Sequence, residues 1–309
     1  MTKKVAVLTG GCSAERGVSL SSGRNVLQAL KEAGYDAFPL DLSHDLIPFV
    51  ETLKTERPDV VFNALHGRYG EDGCVQGVLD LMQIPYTHSG RMASALAMDK
   101  IMSKKLFRMA GLPVAVDRIV SKEDILTGNV LPHPYVLKPV RNGSSVGVFI
   151  CRDENGKPFE GERYPYADDE EIMAEEYIDG RELTVAVMNG KALGVLEIIP
   201  NEKFYNYKAK YSEGGARHVI PANLPEEDYQ KALYIAEEAH KILGCRGISR
   251  TDMRYDDTHP NEKPRFAVLE TNTQPGMTSL SLVPEIAQHA GFSYKDIVVW
   301  MVENAQWGE

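Results

Sequence analysis

Apolar positions over residues 1–96 alternate between short continuous runs and stretches at helical spacing. Val5 to Leu8, Ala37 to Leu40 and Val60 to Ala64 are compact apolar runs, which predicts buried strands. Ser22 to Ala33, closed by Gly34, carries the helical period. So does Asp72 to Met82, with Cys74, Val75, Val78, Leu79 and Met82 on one face. This alternation predicts βαβ units around a parallel sheet. A further helix is expected over Met92 to Ala110, stopped by Gly111, Leu112 and Pro113.

Beyond that point the pattern changes. Tyr135 to Lys138, Val146 to Ile150 and Leu183 to Ile199 read as antiparallel strands, the last folded at Asn189-Gly190 by a type I′ turn. Glu226 to Leu243 reads as a helix, Ile248 to Tyr255 and Arg265 to Glu270 as strands, and Ser281 to Ala290 and Tyr294 to Asn304 as helices. Lys203 to His218 has neither period but holds Phe204, Tyr205, Tyr207, Tyr211 and the pair Gly214-Gly215. Its length and aromatic content predict an ordered lid, with a peripheral surface loop as the alternative. No internal repeat or low-complexity segment interrupts the order.

Composition narrows the classes. The 309 residues are 43% hydrophobic and 25% charged, which excludes a disordered chain. A formal charge of −10 argues against a nucleic-acid binder, though a local cluster of cations can still take a small anion. No apolar stretch approaches the ~20 residues of a membrane span, and Val5 to Leu8 is too short for a signal-peptide core. Cys12, Cys74, Cys151 and Cys245 show no paired spacing, so reduced thiols and a cytoplasmic location are expected.

Several segments carry candidate chemistry. Asp252, Glu270 and Asn272 are oxygen donors at the ends of two strand-like runs. Residues 270 and 272 share a strand face, and the set suits a hard cation such as Mg²⁺; exposed strand-end acids are the competing explanation. Lys138, Gly143, Ser144, Ser145 and Gly147 form a Gly/Ser-rich turn that would let backbone N–H groups approach phosphate oxygens, or serve as a plain hairpin turn. Glu175, Glu176 and Ile178, followed by Glu182, would suit adenine and ribose, or be paired acids on an exposed strand. Gly10 to Arg16 and His66 to Gly73 follow the first and third strands and would face one crevice at the sheet's carboxyl edge. There Glu15 would receive an ammonium group, while His66 is equally a capping residue. Gly276 to Leu282 leads into a helix whose free N–H groups suit a carboxylate, with Ser281 also a candidate N-cap. No Ser-His-Asp or Cys-His set is evident.

In order along the chain, the segment Gly10 to Leu20, Ala64 to Arg68, Met98-Asp99-Lys100, Lys138 to Gly147, Glu175 to Glu182, Phe204 to Tyr211, Arg250-Thr251-Asp252 and Glu270 to Thr278 resemble the D-alanine–D-alanine ligases of the ATP-grasp superfamily. The resemblance implies an α/β (α+β) fold. An N-terminal parallel-sheet domain (residues 1–96) would precede two ATP-gripping subdomains built on antiparallel sheets, 97–180 and 181–309, with a lid over 203–218. It also implies ligation of two D-alanine molecules, with ATP and two Mg²⁺ ions (Mn²⁺ as a substitute), for the bacterial cell wall by a cytoplasmic homodimer. Lys100, Lys138, Ser144, Ser145, Glu175, Glu176, Ile178, Glu182 and Lys210 would hold ATP, and Asp252, Glu270 and Asn272 the metal. Glu15, His66, Gly276, Ser281 and Leu282 would hold the amino acids, Arg250 the developing oxyanion, and Ser144 with Tyr211 would link Glu15 to the lid. Tyr69 and Lys208 depart from the glycine and acid expected there, and Leu280 stands where some relatives carry a polar residue. Two other readings share these motifs in part: another ATP-grasp carboxylate–amine ligase, and a non-catalytic nucleotide-binding regulator.

Overall fold

The computed structural model describes residues 2–128, 130–152, 164–201, 215–259 and 265–308. Strands β1 (Lys4–Gly10), β2 (Asp36–Leu42) and β3 (Val60–Asn63) form a parallel sheet in the order β2-β1-β3. Helix α1 (Arg16–Glu32) lies on one face, and α2 (Leu46–Glu56) with α3 (Cys74–Met82) on the other. The α1 helix starts six residues earlier than its apolar period suggests. Helix α2 was passed over in the sequence although Leu46, Phe49, Val50 and Leu53 stand at helical spacing; Asp45 caps it by accepting from Ile47 N–H at 3.0 Å.

The expected single helix over Met92 to Ala110 is two helices, α4 (Arg91–Met98) and α5 (Lys100–Met109). Asp99 breaks the run with extended dihedrals (φ −87°, ψ 101°), and its carboxylate accepts from the N–H groups of Ile101 and Met102. The break matters because it starts a new helix at Lys100.

A four-stranded antiparallel sheet follows, from β4 (Asp117–Val120), β5 (Tyr135–Pro139), β6 (Phe149–Cys151) and β7 (Ile172–Glu176), in the order β4-β7-β5-β6. Helix α6 (Lys122–Thr127) covers its core beside Ile125 and Tyr135. The strand expected from Val146 begins only at Phe149, because the preceding turn places Ser144 and Ser145 at φ 52° and 59°. The five-stranded sheet, order β10-β9-β8-β11-β12, contains β8 (Arg181–Met188), β9 (Lys191–Pro200), β10 (Ala216–Val219), β11 (Ile248–Asp256) and β12 (Arg265–Asn272). Asn189 and Gly190 both have positive φ, as the type I′ turn requires. The lid expected over 203–218 is shortened at its far end, since Ala216–Val219 pairs with Glu197–Pro200 as strand; residues 202–214 lie outside the described residues.

One face of this sheet packs on α7 (Glu226–Ile242) and α5, through Val185, Val195, Ile235 and Phe107. The other packs on α8 (Leu282–His289) and α9 (Tyr294–Glu303). These two helices also cover the α1 face of the parallel sheet, so that Val7, Phe62, Leu196, Ile286 and Met301 share one core. Helices α8 and α9 therefore form a wedge that fixes the two sheets together. The four cysteines are free thiols.

Candidate active site

The loops after β1 and β3 meet as expected at the sheet's carboxyl edge: Ser13 Oγ donates to the His66 carbonyl at 2.6 Å. Glu15 stands at the N-cap of α1 but makes no side-chain cap bond. Its buried carboxylate instead accepts from Ser144 Oγ, at the tip of the β5–β6 turn. Gly67 (φ 69°) lies so close that a Cβ would sit 2.8 Å from Glu15 Oε2. His66 is buried between Ser22 Oγ (3.3 Å) and Glu71 Oε1 (3.0 Å). Tyr69 adopts φ 68°, which accounts for the glycine expected there, and Asp72 accepts from its N–H at 2.8 Å. Ser281 stands at the N-cap of α8 but its side chain does not cap the helix; Oγ accepts from Thr278 N–H at 2.9 Å. A Cβ on Gly276 would meet that oxygen at 2.8 Å, so the glycine lets the loop close over Ser281. Glu15, His66, Ser144, Gly276, Ser281 and Leu282 border one small polar cavity of about 90 Å³.

The floor is the sheet face of β11 and β12. Asp252 pairs with Glu270 and Arg250 with Asn272, so these four side chains project to one side. The strand-end explanation for the acids fails for Asp252, which lies inside β11 and is 7% exposed. Its Oδ1 accepts from Thr184 Oγ1 at 2.6 Å and Arg250 Nε at 2.9 Å, and its Oδ2 from Arg250 Nη2 at 2.8 Å. Asn272 Oδ1 accepts from Gln274 N–H at 2.7 Å. A bulge opposite Asp252/Met253 leaves Leu269 as an extra residue, and both Leu269 and Glu270 border a second cavity. Two carboxylates and an amide oxygen, oriented by surrounding donors, fit a hard cation that keeps water and substrate oxygens as its other ligands.

The second cavity, of about 420 Å³, lies between the four- and five-stranded sheets. Lys138, Ser145, Glu175, Glu176, Ile178 and Glu182 all border it. Glu175 is 2% exposed, which overturns the exposed-strand explanation for that residue. Burial pushes its carboxyl upward, but Lys138 at 2.6 Å and Lys104 reverse that and hold it below the ordinary carboxylate range. Glu176 is held low by a hydrogen-bonded pair with Arg265, two contacts of 2.8 Å. Arg254 donates to the carbonyls of Ile178 (3.1 Å) and Gly180 (2.7 Å) and lies 3.6 Å from Glu182, tying down the connection between the sheets. Lys100 donates to the Asn142 carbonyl at 2.6 Å and approaches Glu270 at 3.5 Å. Burial lowers its ammonium pKa, with Glu270 opposing. Lys100, Asn142, Gly143, Asp252 and Glu270 border both cavities, which therefore adjoin.

Every site residue expected from sequence lies at one of the two cavities except Lys210 and Tyr211, which fall outside the described residues. Sequence reasoning missed Thr184, Glu71, Leu269, Arg265 and Lys104. Of these only Lys104 left a signal, one helical turn after Lys100 and so on the same inward face.

Comparison with known proteins identifies the family. Residues 106–303 match the D-ala D-ala ligase C-terminus family, and residues 4–57 and 44–89 the D-ala D-ala ligase N-terminus family. The D-alanine–D-alanine ligase of Paramagnetospirillum magneticum is 53% identical over 306 residues, 99% of each chain. That of Parvibaculum lavamentivorans is 54% identical over 304 residues, covering 98% of this chain and 97% of its own. The crystal structure of the Bacillus anthracis D-alanine–D-alanine ligase complexed with ATP superposes with a TM-score of 0.79 at 30% identity, over 98% of this chain and 97% of that one. Matched through both parts and almost end to end, this chain belongs to the D-alanine–D-alanine ligase family.

Proposed function

We propose that this chain joins two D-alanine molecules into D-alanyl-D-alanine for peptidoglycan precursor synthesis, converting ATP to ADP and phosphate. The observation that carries the reading is the junction of the two cavities. A polar pocket with an ammonium acceptor and a helix start opens onto a nucleotide-sized cleft at Lys100, Asp252 and Glu270. The first D-alanine carboxylate attacks the γ-phosphorus and releases ADP. The second amine then attacks the resulting acyl phosphate, forming the peptide bond and releasing phosphate and a proton. Transfer of this kind needs positioning and charge compensation more than a protein nucleophile.

Glu15 receives the first ammonium, with His66 beside it, and Ser281 and Leu282 N–H groups receive the second carboxylate. Lys100 and Lys138 meet the phosphates or base, Ser144 and Ser145 line the phosphate path, and Glu175, Glu176, Ile178 and Glu182 hold adenosine. Asp252, Glu270 and Asn272 would hold Mg²⁺, two ions with Mn²⁺ as substitute, which when bound neutralises charge on the transferring phosphoryl group. By the family resemblance Lys210 and Tyr211, which lie outside the described residues, would serve to exclude water from the acyl phosphate. Arg250 donates to the developing oxyanion. The three units 1–96, 97–180 and 181–309, a homodimer and a cytoplasmic location belong to the same proposal. Among the described residues no helix is long and apolar enough to cross a membrane.

Phosphate release should require D-alanine, with L-alanine, glycine and D-lactate poor substitutes. Release driven equally by another acceptor would favour a different carboxylate–amine ligase, and ATP binding without any release would favour a regulator. For the metal set, Glu270→Gln should raise the Mg²⁺ needed for half-maximal rate by at least ~10–100-fold. Melting temperature should stay near wild type, and an unchanged Mg²⁺ titration would remove the assignment.

A further inference from the structure

Five charged side chains on four elements form an alternating chain from the surface to the nucleotide cavity. Arg108 on α5 pairs with Asp117 on β4, and Asp117 lies 3.3 Å from Lys104 Nζ, also on α5. Lys104 pairs with Glu175 on β7, and Glu175 with Lys138 on β5 at 2.6 Å. Cations stand at both ends, so the chain holds three cations and two anions. Lys138 and Glu175 border the cavity, whereas Lys104 borders neither cavity and is 0% exposed.

Lys104 decides the net charge of this chain. Without it, the remaining four groups are two neutral pairs, Arg108 with Asp117 and Glu175 with Lys138. With it, Glu175 divides its charge between two ammonium groups, and the excess positive charge emerges at Lys138. Burial makes that excess effective, because little solvent screens it. A lysine fully removed from water is expensive, and a packing role alone would be filled better by an apolar side chain of similar volume.

We propose that Lys104 is a positioning residue of the nucleotide site: by sharing Glu175 it leaves Lys138 with uncompensated positive charge for the phosphate groups of a nucleoside triphosphate. The inference rests on the reading of the larger cavity as an ATP site. Lys104 faces Glu175, Lys138 and Asp117 across the sheet and has Lys100 and Arg108 one turn away on its own helix. Burial first, then the neighbouring cations, lower its pKa to about 8, against the pull of Glu175. Its charge is present below that pH and lost above it, so ATP affinity should fall as pH rises through that range.

The test is calorimetric titration of the full-length protein with MgATP at pH 7 to 9.5, alongside steady-state kinetics, for wild type, Lys104→Met and Lys104→Arg. In Lys104→Met the ATP dissociation constant should rise about tenfold or more at pH 7, with the KM for D-alanine within about twofold of wild type. The alkaline weakening seen in wild type should be absent from Lys104→Met. It should also be absent from Lys104→Arg, whose guanidinium stays charged. Wild-type affinity for ATP in Lys104→Met overturns the inference, as does survival of the alkaline fall in Lys104→Arg, which would assign it to Lys100. If Lys104→Met does not fold, wild type and Lys104→Arg still decide, because a flat wild-type profile is also fatal. A wild-type protein that neither binds MgATP nor releases phosphate with D-alanine would instead defeat the functional reading itself.

Discussion

Replacing Arg250 with alanine is expected to lower kcat by ~10²–10³, equivalent to ~3–4 kcal/mol, by analogy with loss of a single oxyanion donor. The guanidinium sits on the floor of the smaller cavity, held by two bonds of 2.9 and 2.8 Å to Asp252, which Thr184 holds in turn. A fork fixed in this way needs no reorganisation when charge develops on the attacked carbonyl. An interaction that strengthens mainly in the transition state lowers the barrier without tightening ground-state binding. ATP affinity should therefore change little, since Lys100 and Lys138 remain. The alternative is that Arg250 only neutralises Asp252. It predicts a lower melting temperature and a nearly normal kcat in the folded fraction. Measuring both on one preparation separates the two, and a kcat loss below tenfold with a clear drop in melting temperature defeats the catalytic role. Lys at this position retains charge but not the fork, and should recover only part of the rate.

Glu175→Gln should cost the fold about 3–5 kcal/mol at pH 7, because it strands two buried ammonium groups. The pH dependence identifies the cause. In the unfolded chain a lysine holds its proton up to its ordinary value of 10.5, whereas Lys104 in the native fold already releases it near 8. Removing Glu175 removes the attraction that supports the charged form, so the native pKa falls further. The unfolded state then binds more protons than the native state over a wider pH interval than in wild type, so the variant's stability rises with pH by more than the wild type's until both states are deprotonated. Urea denaturation at pH 7 and pH 9.5 should thus show a smaller deficit at the higher pH. An equal deficit at both would mean that lost packing or hydrogen bonding, rather than unpaired charge, destabilises the variant.

Local signals in the sequence survived where one element determines them. The pair Asn189-Gly190 specified its turn, and the apolar runs at Val5 and Val60 specified buried strands, because backbone preference and side-chain period act over a few residues. Asp99 was invisible because the helical period continues across it, while the capping carboxylate that ends one helix and begins the next is a single side chain. Short α6 and β4 carry too few positions to establish a period. The site was legible as a set of segments through family resemblance, whereas its electrostatics were not. Lys104 shares a helix face with Lys100, but that spacing does not name its partner, because Glu175 lies 71 positions later. Arg265 meets Glu176 across 89 positions for the same reason: pairing across two sheets is a property of the topology.

The wedge of α8 and α9 makes the order of synthesis matter. Met277 N–H reaches Ser22 Oγ across 255 positions, and the core shared by Val7, Phe62, Ile286 and Met301 spans a similar interval. Until the ribosome has delivered those helices, the parallel sheet has three strands and an α1 layer whose outer apolar surface faces water. Closing so long an interval carries loop entropy before any contact is gained, which places the step late in folding. A nascent chain thus carries a sticky half-built layer for most of its synthesis, the kind of surface that chaperones shield. Glu15 at the start and Ser281 near the wedge likewise come to border one cavity only in the finished molecule.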